Sequence, residues 1–260
     1  MLNIFKDTLG LQFANKTREY YVGSTKRTLP LHLKIGKWVR YAKPDVLYNL
    51  VEHLKRVDVY LKQCNIPYWA VGGTLLGAAR HQGIIPWDDD VDVGILKSSS
   101  HLLNVQKAIE MGLYLVPCDF GAQIFNLDQK ELGPFVDIFF MHLQNGKYVY
   151  SEKFSRPEFL GHYKEQIQTW NDIFPKDAID QHDLFPLRRV PFEHIAIDVP
   201  KKYIQIVKKQ KGENVMTSMP FTSIFSPHTP LHHILKKRIP YYMNIGLLLG
   251  SNIIENRGGK

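Results

Sequence analysis

At 260 residues and 44% hydrophobic, the chain can bury one sizeable core and is short enough to keep that core single. Its two cysteines, Cys64 and Cys118, exclude a disulfide framework and a cysteine-rich zinc motif, and no run reaches the roughly 18 apolar residues of a membrane span. A formal net charge of +8 asks for an anionic partner: nucleic acid, a membrane surface or a phosphorylated small molecule.

The excess charge opens the chain. Residues 16–43 hold eight basic side chains (Lys16, Arg18, Lys26, Arg27, Lys34, Lys37, Arg40, Lys43) against Glu19, lack sustained periodicity, and read as a basic arm over residues 1–44. Between 45 and 64, Leu47, Leu50, Val51, Leu54, Val57 and Leu61 recur at helical spacing behind Asp45, a candidate cap. The aromatic and β-branched "PYWAV" (67–71) predicts a strand that breaks at Gly72-Gly73. "TLLGAARHQG" then reads as a short helix with Thr74 as its cap and Gly83 as its stop.

The loop "IIPW" leads into "DVDVGI", a strand on which Asp90 and Asp92 share one face while Val91, Val93 and Ile95 take the other. A second helix is expected over 98–112, and "GPFVDIFFMHL" (133–143) is a strong strand, apolar except for Asp137 and His142. "RRVPFEHIAIDVP" predicts a hairpin, and "PKKYIQIVKKQKG" a helix with Pro200 in its first turn and Gly212 at its end. Residues 45–212 thus form the expected α/β domain, and 213–260 a C-terminal extension on it with weak helical signal around 231–249.

Asp88, Asp89, Asp90 and Asp92 crowd the mouth of a strand. Two carboxylates roughly 5 Å apart repel by about 3 kcal/mol at an effective dielectric of about 20. A divalent cation on Asp90, Asp92 and Asp137 reverses that sign, and an oxygen-only donor set points to Mg²⁺ or Mn²⁺ rather than zinc. A solvated acidic turn explains Asp88 and Asp89 equally well. An EF-hand calcium loop starting at Asp88 fails at its sixth position, Val93, and at its twelfth, Ser99. The Gly72-Gly73 turn, with Thr74, feeds a helix N-terminus whose free N–H groups suit a phosphate.

This order of strand, Gly-Gly turn, short helix and Asp-x-Asp strand, with a third Asp on a later strand, resembles the nucleotidyltransferase superfold: a mixed sheet flanked by helices. More narrowly, "GGTLLGAARHQGIIPWDDDVDVGI", "FVDIFFM" and "LFPLRRVPFEHIAIDVPKKY" are similar to the signature of the LicD family, which includes bacterial phosphocholine transferases and animal fukutin and fukutin-related proteins. The likeness covers about residues 66–212, with His194 where the family usually has Gly.

The resemblance implies metal-dependent transfer of phosphocholine or a polyol phosphate from a CDP-linked donor to a hydroxyl of a sugar or glycan. Asp88, Asp90, Asp92 and Asp137 are the expected catalytic residues, with Asp88 or Asp137 as the base. Gly72, Gly73 and Thr74 would seat a phosphate, and Arg80 with His81 would contact one, against the alternative of a surface pair. Trp87 either stacks on a base or covers the core, and Arg188 either grips the donor or is solvated. A nucleotidyl transferase and an Asp-x-Asp glycosyltransferase are the rival activities, with a non-catalytic nucleic-acid-binding module behind them. Nucleic acid is accordingly not the expected partner. The opening "MLNIFKDTLGLQF" lacks a signal-peptide pattern, so a cytoplasmic location is expected, with peripheral membrane contact through the basic arm and "YYMNIGLLLG".

Overall fold

A long amphipathic helix and a mixed sheet share the core, and the sequence dictates both. The computed structural model describes residues 11–14, 18–33, 39–88, 90–127, 134–151 and 169–217; Asp89, residues 218–260 and the helix expected around 231–249 lie outside the described residues. Four short strands come first: β1 (Leu11–Ala14), β2 (Glu19–Val22), β3 (Thr25–Thr28) and β4 (Val39–Ala42). β1 pairs with β4, and β2 with β3, all antiparallel.

Part of the stretch expected to be an arm is therefore built into the core, where Tyr20, Val22, Leu29, Leu33 and Tyr41 are buried. Three of its basic side chains have partners within the described residues: Arg18 donates to the carbonyls of Pro30 and Leu33, Lys26 pairs with Glu19, and Arg27 pairs with Glu193.

Helix α1 (Pro44–Gln63) begins one residue before the expected start. Asp45 is not its cap: Lys43 holds that position without a side-chain bond, and Pro44, whose fixed φ suits a first turn, opens the helix. The predicted stripe is buried, and the helix packs on β2 and on two strands reached later in the chain.

After it come β5 (Tyr68–Ala70), helix α2 (Gly72–Arg80) and β6 (Val91–Leu96). The helix expected over 98–112 is split into a 3₁₀ turn (Lys97–Leu102) and α3 (Val105–Glu110). Three serines favour local bonds over a helical ladder, and Asn104 restarts the helix by accepting from the Lys107 N–H at 2.9 Å.

Next comes a hairpin that periodicity does not announce, β7 (Leu113–Cys118) and β8 (Gly121–Asn126). Pro117 masks it, yet among the described residues β7 pairs only with β8, so an exposed proline is tolerated on that edge. β9 (Phe135–Gln144) is the predicted apolar strand and turns into β10 (Lys147–Tyr150). Helix α4 (Trp170–Ile173), β11 (Ile179–Asp180), helix α5 (Gln181–Leu184), the hairpin β12 (Arg188–Phe192) and β13 (Ile195–Val199), helix α6 (Tyr203–Lys211) and a 3₁₀ turn (Glu213–Met216) complete the described chain. Pro200 precedes α6 rather than sitting in its first turn, while Gly212 closes it as expected.

The seven-stranded sheet runs β11-β10-β9-β6-β5, with β8 and then β7 added on β9. β6 and β9 are parallel and the other pairs antiparallel, giving the expected nucleotidyltransferase-like mixed sheet flanked by helices. Among the described residues no helix is long and apolar enough to cross a membrane.

The β12–β13 hairpin is clamped to α1 by a bidentate ion pair, in which Arg189 reaches Asp58 at 2.6 and 2.8 Å while Tyr68 donates to the same carboxylate at 2.6 Å. Burial alone would raise the Asp58 pKa, but Arg189, Tyr68 and Lys62 outweigh it and hold it below its ordinary 3.8. A depressed folded pKa gives stability that is present above that ordinary value and lost as pH falls through the folded one. Asp58→Asn is therefore expected to cost about 2–3 kcal/mol at pH 7, discounted for the part-exposed Arg189. Thermal melts from pH 7 to 3 should show the gap to wild type closing on the acid side; a gap independent of pH would assign the loss to packing.

Candidate active site

The register of three strands assembles the site. Asp92 on β6 lies directly opposite Asp137 on β9, and Asp137 directly opposite Gln123 on β8. Cross-strand partners share a sheet face, so these three side chains form a row, with neighbours about 4.8 Å apart in the pairing direction. Asp90, two residues before Asp92, adds its charge to both carboxylates of the row.

Helix α2 closes the row at its β5 end. The Asp92 carbonyl accepts from the Val71 N–H at 3.1 Å, and the Asp92 N–H donates to the Thr74 hydroxyl at 2.8 Å. Thr74 is thus a clamp on Asp92 inside the helix, and the cap position belongs to Val71. Gly72, at φ 55°, is the first helical residue. A Cβ there would stand 2.9 Å from Asp92 Oδ2, and one on Gly73 would collide with Asp88 Oδ2. The two glycines leave room for two carboxylates against the helix N-terminus, where the dipole favours negative charge.

Burial first, then the charges of Asp90 and Asp137, with Asp88 and Asp177 behind them, hold the Asp92 carboxyl well above the usual carboxylate range. Asp137 is pushed up by burial and by Asp90, and drawn down by its bond from Gln123 Nε2 at 2.8 Å. Carboxylates so raised ask for a counter-charge. Among the described residues the row offers carboxylate and amide oxygens, and burial and Asp137 push the pKa of the nearby Cys118 thiol up. That donor set suits a hard divalent cation. Among the described residues, however, no three His, Cys, Asp or Glu side chains are gathered into a ready ligand cluster.

Arg80, His81 and Trp87 form a separate group at the other end of α2, about 12 Å along the helix from Gly72 at 1.5 Å per residue. Arg80 is buried, donates to the Val215 carbonyl at 2.9 Å and to His81 Nδ1 at 3.3 Å, and lies over the Trp87 ring. Burial lowers Arg80 to about 10, and burial together with Arg80 lowers His81 to about 3. Trp87 packs edge-on against His81 and partly covers the core. Arg188 is exposed on β12 and stacks over Tyr203.

Three contributors escape sequence reasoning. Gln123 is a polar residue in the apolar run "GAQIFN", a signal readable only once the β8–β9 register is known. Asp177 is buried, bears on Asp92 and accepts from the Tyr150 hydroxyl at 3.1 Å; no spacing pattern marks it. Glu193, in the two-residue turn of the β12–β13 hairpin, accepts from the Ile84 N–H at 3.2 Å and pairs with Arg27 at 2.9 Å, pinning the loop that delivers Asp88. The positive φ of that turn falls on Glu193 and not on His194.

Comparison with known proteins fits this geometry. The family model described as "LicD/FKTN/FKRP, nucleotidyltransferase domain" matches residues 65–202, more than half of the chain. The uncharacterized protein RP689 of Rickettsia prowazekii is 31% identical over 198 residues, which is 76% of this chain and 62% of that protein. The ribitol 5-phosphate transferase FKRP of Homo sapiens is 26% identical over 209 residues, 78% of this chain and 38% of that protein. The lipopolysaccharide cholinephosphotransferase LicD of Haemophilus influenzae is 68% identical over a 28-residue stretch, 11% of each chain. The chain spans less than two thirds of each of these curated relatives.

Proposed function

The chain belongs to the LicD/FKTN/FKRP nucleotidyltransferase family, and from that premise we propose that it transfers a phosphorylated alcohol from a CDP-linked donor to a hydroxyl of a sugar or glycan. The observation that carries the reading is the parallel register that sets Asp92 against Asp137 beside the Gly72-Gly73 turn. Raised carboxylates next to a helix N-terminus are what a site for a metal-bound phosphate requires.

The acceptor oxygen attacks the phosphorus that carries the alcohol, the bond from that phosphorus to the CMP oxygen breaks, and the acceptor's proton passes to a carboxylate. Asp88 and Asp137 are the two candidates for that proton. Backbone N–H groups at Gly72 and Gly73 seat the departing phosphate. The Thr74 hydroxyl oxygen accepts from Asp92, which leaves its own O–H to donate there. Mg²⁺ or Mn²⁺, held by Asp92 and Asp137 with Asp90 beside them, would supply charge neutralisation and phosphoryl polarisation when bound.

Melting the purified protein with CMP, CDP, UDP, GDP or ADP, each with and without Mg²⁺ or Mn²⁺, tests the reading. A nucleotide at 100 times its Kd adds about 2.7 kcal/mol. Cytidine nucleotides are expected to stabilise in the presence of metal, after which release of CMP from CDP-choline, CDP-ribitol and CDP-glycerol distinguishes the alcohols. Stabilisation by UDP or GDP in place of CDP would transfer the reading to a glycosyltransferase, and by ADP to a nucleotidyl transferase.

A further inference from the structure

The row of side chains across β6, β9 and β8 does not end at the carboxylates. Gln123 is 5% exposed and stands directly opposite Asp137, to whose Oδ1 it donates at 2.8 Å. Its amide oxygen, Oε1, is buried and has no hydrogen-bond partner among the described residues. Most buried side-chain polar atoms have a partner, so an open end asks for a reason. Here one end is spent on a carboxylate and the other is left open beside it. Because the amide oxygen is bonded to the same carbon as the donating nitrogen, it lies within about 5 Å of Asp137 Oδ1 when normal bond lengths are added to the 2.8 Å contact.

We infer that Gln123 is a positioning residue for Asp137. Its N–H occupies one carboxylate oxygen and fixes the plane of the group, so that the other oxygen is presented to the ligand shared with Asp92. Hydrogen bonds of this kind orient the side chains that hold a cation, and their loss typically weakens cation binding by about 10–100-fold. Glutamine suits the task because it donates without adding charge: a lysine would neutralise Asp137, and a glutamate would add to the repulsion already present. The inference rests on the proposed cation-dependent site, and the test separates the two.

Mn²⁺ binding to the purified full chain, read from the electron paramagnetic resonance of free Mn²⁺, is to be compared among wild type, Gln123→Met, Gln123→Asn and Asp137→Asn, with the melting temperature of each metal-free protein. Methionine keeps the volume and removes both polar ends. Asparagine keeps an amide too short to reach Oδ1, and serves should the methionine variant fail to fold. The expected result is a Kd raised about 10–100-fold in both Gln123 variants, with binding lost in Asp137→Asn. Variants that melt lower yet bind Mn²⁺ as wild type does would overturn the inference and make Gln123 a structural residue, leaving the proposed function standing. Absence of Mn²⁺ binding in wild type would overturn both.

Discussion

Asp92→Asn is expected to raise the melting temperature of the metal-free protein while abolishing transfer. Asp92 and Asp137 are directly opposed in a parallel pair, with Asp90 acting on both and Asp88 and Asp177 on Asp92. At about 5 Å and an effective dielectric of about 20, one such pair costs about 3 kcal/mol when both members are ionised. Keeping a proton on one of them above its unfolded pKa also costs stability, so the native state bears a penalty by either route. An asparagine of nearly the same shape removes it.

After allowance for relaxation the gain is about 1–2 kcal/mol, or roughly 2–8 °C for a domain of this size. The same change removes a charge on which the proposed transfer depends, and activity should fall by about 10³-fold or more. Differential scanning fluorimetry with and without Mn²⁺ reads both effects. Wild type should gain from Mn²⁺ and the variant should not. If the variant melts below wild type without metal, and Mn²⁺ raises both equally, Asp92 is a structural acceptor and the carboxylate row has no catalytic meaning.

The acidic row was half legible in the sequence, and the division follows from what alternation can encode. Asp92 and Asp137 stand out because each interrupts a run of residues that belong in a sheet interior, and period-two alternation fixes which neighbours share their face. That Asp92 and Asp137 meet is a matter of register between strands more than forty residues apart, which no local pattern contains. Gln123 is hidden for the same reason, compounded by Pro117, which disguises the hairpin carrying it. Asp177 reaches the site through Tyr150 and tertiary packing alone. Arg80 is the converse case, where a local pattern says nothing of the tertiary partner. Its place about two turns past the glycines suggests a phosphate contact or a surface residue, whereas the chain after α2 folds back and buries it against Val215.

The glycines mark where local sequence and tertiary geometry agree, and Gly72→Ala is the variant that exposes it. Gly72 sits at φ 55°, where an L side chain costs roughly 1–3 kcal/mol, and its new Cβ would stand 2.9 Å from Asp92 Oδ2. The Asp92 backbone cannot retreat, because the Val71 N–H and the Thr74 hydroxyl hold it from both sides. The side chain must therefore rotate away, and a misplacement of about 1 Å at a catalytic group costs on the order of 10²-fold in rate. The variant should lose both thermal stability and cation response. The nearest atoms to a Cβ in Gly73→Ala are those of the Asp88 carboxylate, the movable end of a side chain in a loop, so its melting temperature should change little while its rate falls. Melting curves and nucleotide-release rates on the pair separate backbone strain from carboxylate displacement. Equal destabilisation of both would show that the turn is fixed by packing, while unchanged rates in both would detach the Gly-Gly turn from the chemistry.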